Sequence, residues 1–529
     1  MIIKSTDYAE VDFDTSEKDE NPDDYSQTKL FEDLNNLNSK NDILTVPENP
    51  QNYGVRENLG LQYKDGTYST SRFCGCYYLK DKNREDIIDI NGERVILWLG
   101  RSRFENENAN SDAILNMLDT IASDEEFNEY LCMDLPEGER LITYFFDEDL
   151  IFADEITKDN KMLTYISFIH LVLNSTKRGL MSKMVKRSEN LNGKVRGKID
   201  MKYQVSKNIM RGRKDRIYCT YSEKSVDILE NQILKYALKI ISESKIAGLT
   251  NQQRSINILK RRFSAVSDRK VTPVEIDRII LPSMYQNYRS MFQLAKVIIS
   301  DISMYTTESG SKKGLVPYAI NMPLLFECYV RTIIKLKIKE LNNKDKLKYR
   351  IEMKKFVPNK TDKSYDESYG CVMSTNDKCY IQGLLIPDIV LAYYDKKSEE
   401  NAKPLFYRVY DVKYKKPCKS TGIRNDRLQF LAYCFMYGVS YDVTKQSDIE
   451  EKLGIINTNE KSDAKNTDNP HWYSGLIFPL PPQKTSENVA KENSKGVEIN
   501  RVNDDVYYHQ VFVDIKDKNT EQNFEFLKW

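Results

Sequence analysis

Histidine is scarce in this chain: 529 residues carry three, at positions 170, 471 and 509. His170 lies in the apolar run SFIHLVL and reads as a core residue. His471 and His509 fall in or beside late strand-like segments. No nucleophile elbow and no cysteine–histidine pairing accompanies them, which argues against triad hydrolases and thiol proteases. The nine cysteines lack metal-type pairs, and Cys74-Gly-Cys76 is too close and too isolated for a zinc site. They read as ordinary thiols of a reduced, cytosolic protein. No apolar run approaches the roughly 20 residues of a membrane span, and the start lacks a basic-then-apolar signal pattern. A cytoplasmic protein without a membrane partner is expected. A GxxxxGK[ST] phosphate loop is also missing, the nearest string being GKVRGK from Gly193. The chain itself is therefore expected to bind no nucleotide. Net charge is uninformative, because 79 basic residues balance 79 acidic ones.

The distribution of charge says more. Residues 1–52 hold thirteen acids against four lysines, with few apolar anchors, and read as an acidic flexible arm. From Lys177 to Arg216 fourteen Lys or Arg face three acids. Glycines at 193, 197 and 212 would let main chain approach a phosphate, while the cations displace its counterions. Lys194, Arg196, Lys198, Lys207, Arg211, Arg213, Lys214 and Arg216 are the candidate DNA contacts. No aromatic series suited to base stacking is evident.

The strongest chemical signal lies between Gln382 and Gly438. Leu384 to Ala392 and Leu405 to Lys413 are β-patterned runs separated by a charged loop, as in a hairpin with a long connection. Alternation along the second run puts Asp411 and Lys413 on one face, and pairing with the first brings Asp388 to them. Phosphodiester hydrolysis needs a divalent cation on hard oxygen ligands, an activated water and a positive group beside the scissile phosphate. Asp388, Asp411 and the Val412 carbonyl supply such oxygens, and Lys413 supplies the charge. Gln429 and Tyr433, four apart in a helix-like segment, share a face. Glu327 sits in a second helix-like segment, PLLFECYVRTIIKLK.

Pro387-Asp388 followed by Asp411-Val412-Lys413 resembles the PD-(D/E)XK nuclease superfamily. Gln429 and Tyr433 resemble the QxxxY element of its RecB-type members. Glu327 falls where the superfamily often carries a helical acid, so the resemblance adds it to the ligands. A longer series resembles the McrC family: NLNGKVRGKIDM, RIYCTYSEKSVDILENQILKYAL, MPLLFECYV, IPDIVL, DVKYK and DRLQFLAY occur in the same order over about Leu180 to Tyr437. That resemblance implies the nuclease subunit of a type IV restriction system in antiviral defence. Its expected partners are double-stranded DNA, modified or unmodified, and a hexameric AAA+ GTPase motor of the McrB type. Its expected cofactor is Mg²⁺ or Mn²⁺. A catalytically idle adaptor and a stand-alone nuclease acting on DNA or RNA remain the alternatives.

The fold class expected is multidomain α/β. Residues 1–52 form the arm, and 53–155 an α+β partner-binding domain with strands around Cys74 and Leu97 and helices over Ala113 to Ile121 and Phe127 to Leu131. Residues 156–313 are a mainly helical, basic, DNA-contacting region. Residues 314–529 are the PD-(D/E)XK nuclease domain, with polar loops near 457–469 and 484–495 and strands over Tyr473 to Leu480 and Val506 to Ile515.

Overall fold

The computed structural model describes residues 2–11, 59–64, 67–80, 85–88, 92–105, 113–121, 141–146, 148–152, 161–244, 252–285, 288–303, 314–343, 349–353, 387–397, 404–415, 426, 429–430, 433, 474–479, 497–503, 506–513 and 515. Most of the acidic arm, the Phe127 to Leu131 helix, His471 and both late polar loops lie outside the described residues. The chain divides into two compact units, one of residues 1–145 with 317–529, the other of residues 146–316.

The first unit holds two principal sheets. In one, Ile2–Thr6 runs parallel to Ile96–Arg101. That strand pairs with Phe73–Tyr78, which pairs with Tyr318–Asn321, and Ile142–Tyr144 closes the edge. The start of the expected arm is thus a sheet strand, because Ile2-Ile3 supplies β-branched apolar residues and Ile3 is buried in the core. Phe73–Tyr78 is buried at every position, as a central strand covered on both faces should be. Gly75 is required there. Its φ of +152° suits glycine, and a Cβ would stand 2.2 Å from the Tyr318 carbonyl oxygen.

Tyr318–Asn321 also joins the two ends of the sequence. It completes the N-terminal sheet and leads directly into the helix Met322–Asn343. Sequence reading divides these regions into separate domains, whereas strand pairing across some 240 residues makes them one unit. The second sheet has the order Arg350–Met353, Ile389–Tyr394, Phe406–Val412, Gly475–Pro479, Val506–Val513, Val497–Asn503. Its first three strands are antiparallel, and the next two run parallel to the third. The late strands fall where the sequence places them.

The second unit packs Lys161–Ser175, Leu229–Glu243, Gln253–Arg262 and Tyr288–Ser303 around an apolar core that includes Ile166, Phe168, Leu234, Ile241 and Met291. His170 is among its buried residues and contacts Gln252 at 2.8 Å. The basic stretch is not helical throughout. Lys183–Asn192 and Arg216–Ser225 form a ten-pair antiparallel ribbon, extended at one edge by Lys198–Ile199. One short helix, Met201–Lys207, crosses between them, with the Asp200 carboxylate accepting from the Tyr203 N–H at its start. No helix among the described residues is long and apolar enough to cross a membrane.

Candidate active site

Asp388 precedes the Ile389–Tyr394 strand, and Asp411 lies near the end of its neighbour, Phe406–Val412. The antiparallel register, Ile389 opposite Tyr410, brings the two acids side by side. A main-chain hydrogen bond fixes the approach: the Val412 N–H donates to Asp388 Oδ2 at 2.8 Å. Along the second strand Val409, Asp411 and Lys413 face one side. There Val409 packs against Phe430, Tyr433, Leu476 and Phe478. On that same side the Lys413 ammonium sits 2.7 Å from Asp411 Oδ2 and donates to Gln429 Oε1 at 3.0 Å. The Gln429 amide nitrogen then donates to the Tyr433 hydroxyl at 2.7 Å. Residues 426, 429, 430 and 433 are helical, which places Gln429 and Tyr433 one turn apart. Five of the residues singled out in the sequence, Asp388, Asp411, Lys413, Gln429 and Tyr433, form one connected set around Val412.

Glu327 belongs to a different element. It is half-buried on Met322–Asn343, one turn before Arg331, whose guanidinium donates to the Asp388 carbonyl oxygen at 2.5 Å. The helix therefore supports the acidic pair through Arg331. Among the described residues no three acidic, histidine or cysteine side chains converge closely enough to hold a metal ion. Glu327 is not brought into the pair.

The electrostatics of the pair are unusual. Asp411 is 1% exposed and neither of its oxygens receives a well-directed hydrogen bond from the described residues, although the lysine charge is adjacent. Burial, reinforced by the Asp388 carboxylate, pushes the Asp411 carboxyl well above the usual range, and Lys413 opposes the shift only in part. For Lys413 itself, burial favours the neutral amine, but the attraction of Asp411 and then Asp388 outweighs it and holds the ammonium above the ordinary lysine value. The buried, under-coordinated Asp411 carboxylate beside the Asp388 carboxylate is a donor set suited to a hard divalent cation. Its charge would offset the repulsion that a single lysine leaves.

The candidate DNA contacts Lys194, Arg196, Lys198, Lys207, Arg211, Arg213, Lys214 and Arg216 are all exposed, spread over the ribbon, its crossing helix and the turns that join them. They share that surface with Met201, Ile209 and Met210, which are 62, 60 and 78% exposed. Two cations are held by rings. Arg196 stacks 4.0 Å from the Tyr221 centroid, and Lys207 lies 5.3 Å from both Tyr203 and Tyr218. The latter rings stack at 5.0 Å, an aromatic pair that sequence spacing conceals because it joins a helix to a strand. Gly197, at φ +70°, passes so close to the next strand that a Cβ would meet the Thr220 carbonyl at 2.6 Å.

Sequence reading missed Arg331 and the ion pair Lys415–Asp426 at 2.6 Å, a second tie between the strand end and the helix of Gln429. An arginine inside an apolar helical run was the one available signal for Arg331. Nothing local marks the other.

The family model for the McrBC 5-methylcytosine restriction system component matches residues 152–443, more than half of the chain. No curated protein matches. Among solved structures, the chain is similar to a tetradecameric assembly of Thermococcus gammatolerans McrB AAA+ hexamers with bound McrC, at 14% identity. That match covers 97% of this chain and 95% of the other, with a TM-score of 0.35. It is also similar to a Thermococcus gammatolerans McrBC complex, at 13% identity over 63% of this chain and 87% of the other, with a TM-score of 0.26.

Proposed function

The chain belongs to the McrBC 5-methylcytosine restriction system component family, and from that premise we propose that it is the endonuclease subunit of such a system, of the PD-(D/E)XK type. The observation that carries the reading is the juxtaposition of Asp388, Asp411 and Lys413 at the ends of two paired strands, locked by the Val412-to-Asp388 hydrogen bond. Asp388, Asp411 and the Val412 carbonyl would hold Mg²⁺ or Mn²⁺. The ion would acidify a water and neutralise charge on the phosphate.

The protein's own share is positioning and charge. Lys413, kept cationic by the two acids, faces the phosphate and offsets negative charge as it builds on the phosphoryl oxygens. Gln429 holds the ammonium in place, and Tyr433 fixes the Gln429 amide by accepting from its nitrogen, so the lysine keeps one direction. Arg331 holds the main chain at Asp388. In this reading the exposed basic ribbon tracks a DNA backbone, while its methionines and Ile209 suit a protein surface. The partner proposed is a hexameric AAA+ GTPase of the McrB kind.

The test is cleavage of methylated and unmethylated plasmid by the purified chain, alone and with an McrB-type ring, with Mg²⁺ or EDTA and with Asp388→Ala as control. Cutting that requires metal, ring and Asp388 is the expected result. Cutting without the ring would establish a stand-alone nuclease. Ring binding without cutting, on any DNA or RNA, would instead indicate an idle adaptor.

A further inference from the structure

A buried polar cluster lies immediately past the lysine, on residues the proposed chemistry does not use. Lys413 points toward Gln429, and Tyr414 points the other way, toward Phe326 of the Met322–Asn343 helix, 5.7 Å between ring centroids. The Tyr414 hydroxyl is 2.6 Å from Ser102 Oγ and donates to Asp7 Oδ1 at 3.4 Å. Asp7 Oδ1 also accepts from the Arg103 N–H at 2.8 Å. The Arg103 guanidinium closes the circuit by donating to the Tyr414 carbonyl oxygen at 2.6 Å. Phe104 meets the tyrosine ring edge-on at 5.0 Å. Asp7, Ser102 and Phe104 are fully buried, and Tyr414 is nearly so.

Tyr414 is thus held twice, through its hydroxyl and through its own main chain, by residues more than 300 positions away in sequence. On the other side of the lysine, the Lys413 N–H donates to the Ile477 carbonyl at 2.8 Å, and the Lys415 N–H to the Lys413 carbonyl at 2.9 Å. The Lys413 backbone is therefore bracketed between the catalytic sheet and the N-terminal sheet. A tyrosine needed only to fill apolar space would not require a buried carboxylate, a buried serine and a half-buried arginine around it, because each buried polar group costs free energy unless it is satisfied.

We infer that Asp7, Ser102 and Arg103 clamp Tyr414 as a positioning device for Lys413, so that the N-terminal sheet completes the active site. The inference rests on the nuclease reading for its consequence, though not for its geometry. Tyr414 and Arg103 are positioning residues; neither reaches the reacting atoms. The clamp is long-range, so it forms only when both ends of the chain are folded together.

The test uses the full-length protein with its ring partner and two readouts. Tyr414→Phe keeps the ring and loses the hydroxyl, and Arg103→Met loses the main-chain tie; Arg103→Lys is the conservative rescue. The single-turnover cleavage rate should fall on the order of tenfold to a hundredfold in the first two variants, with KM for DNA unchanged, as expected for a displaced catalytic group. Arg103→Lys should recover much of the loss. Independently of cleavage, competitive amine labelling read by mass spectrometry should show Lys413 reacting several-fold faster in Tyr414→Phe and Arg103→Met than in the parent. Leu97→Ala, which weakens the same core away from Tyr414, should leave Lys413 labelling of the folded protein unchanged. Unaltered rate and labelling in both clamp variants would overturn the inference while leaving the nuclease reading intact. Faster labelling in a protein whose parent cuts nothing would uphold the clamp and sink the nuclease reading.

Discussion

Replacing Lys413 by methionine should destabilise the sheet that carries Asp388 and Asp411, and neutralising Asp411 as well should restore it. The lysine charge lies 2.7 Å from a carboxylate that is 1% exposed, has no other well-directed donor among the described residues and stands beside a second acid. Removing one member of a buried ion pair typically costs about 3–5 kcal/mol. The Lys413 side chain is 20% exposed, so solvent reaching the gap reduces the expected loss to about 2–3 kcal/mol. In Asp411→Asn/Lys413→Met the uncompensated charge is absent, and the loss should shrink to about 1 kcal/mol, a recovery of about 1–2 kcal/mol relative to Lys413→Met. The sign of the pH dependence follows from Asp411. Its folded-state carboxyl is raised, so its contribution is fully present below the unfolded value and is lost as pH rises through the folded one. Taking away the ammonium raises it further, so the Lys413→Met deficit should grow as pH rises. Denaturant-dependent hydrogen exchange of the Phe406–Val412 amides measures this locally, without assuming that a two-unit chain unfolds in one step. A single variant as stable as the parent at pH 8, or a double variant no better than the single, would refute this account of the pair. Both variants should be inactive in cleavage.

Other expectations follow from the same structure. Gly75→Ala drives a methyl into the Tyr318 carbonyl and should cost about 3 kcal/mol or more, or abolish soluble expression; a parent-like melting profile would count against the strand pairing. His170, buried against Gln252, has its imidazole pushed down to about 4 from 6.5. Its contribution is present above the unfolded value and is lost as pH falls through the folded one, so the second unit should weaken by roughly 3 kcal/mol across that window. The imidazole NMR resonances should titrate near 4, and a midpoint near 6.5 would deny the burial. Reversing Arg211 and Arg213 to glutamate should weaken DNA binding and flatten its salt dependence by up to about two in the log–log slope; an unchanged slope would reassign the ribbon's tip to protein contact. Gln429→Leu should lower the cleavage rate more than it raises KM, since it frees the lysine without touching substrate; a change in KM alone would place Gln429 on the DNA instead.

Much of the candidate site is legible in the amino-acid sequence, because its logic is periodic. Two β-patterned runs with acids near their ends, and a Gln and Tyr four apart on a helix, define which side chains share a face, and strand pairing with helix packing does the rest. Beyond that, local pattern has no reach. The contiguity of residues 1–145 with 317–529 depends on Tyr318–Asn321 pairing with Phe73–Tyr78, a register chosen by complementary edges far apart in sequence. The basic stretch reads as charge and glycine, yet only its ribbon geometry exposes Met201, Ile209 and Met210 beside the cations and stacks Tyr203 on Tyr218. The partner of Arg331 and the Asp7–Ser102–Arg103 cluster are invisible for a like reason, since a buried polar group announces its partner only once the fold has excluded water from both. The sequence by itself determined the candidate residue types and the faces they occupy. The tertiary structure decided what holds them there.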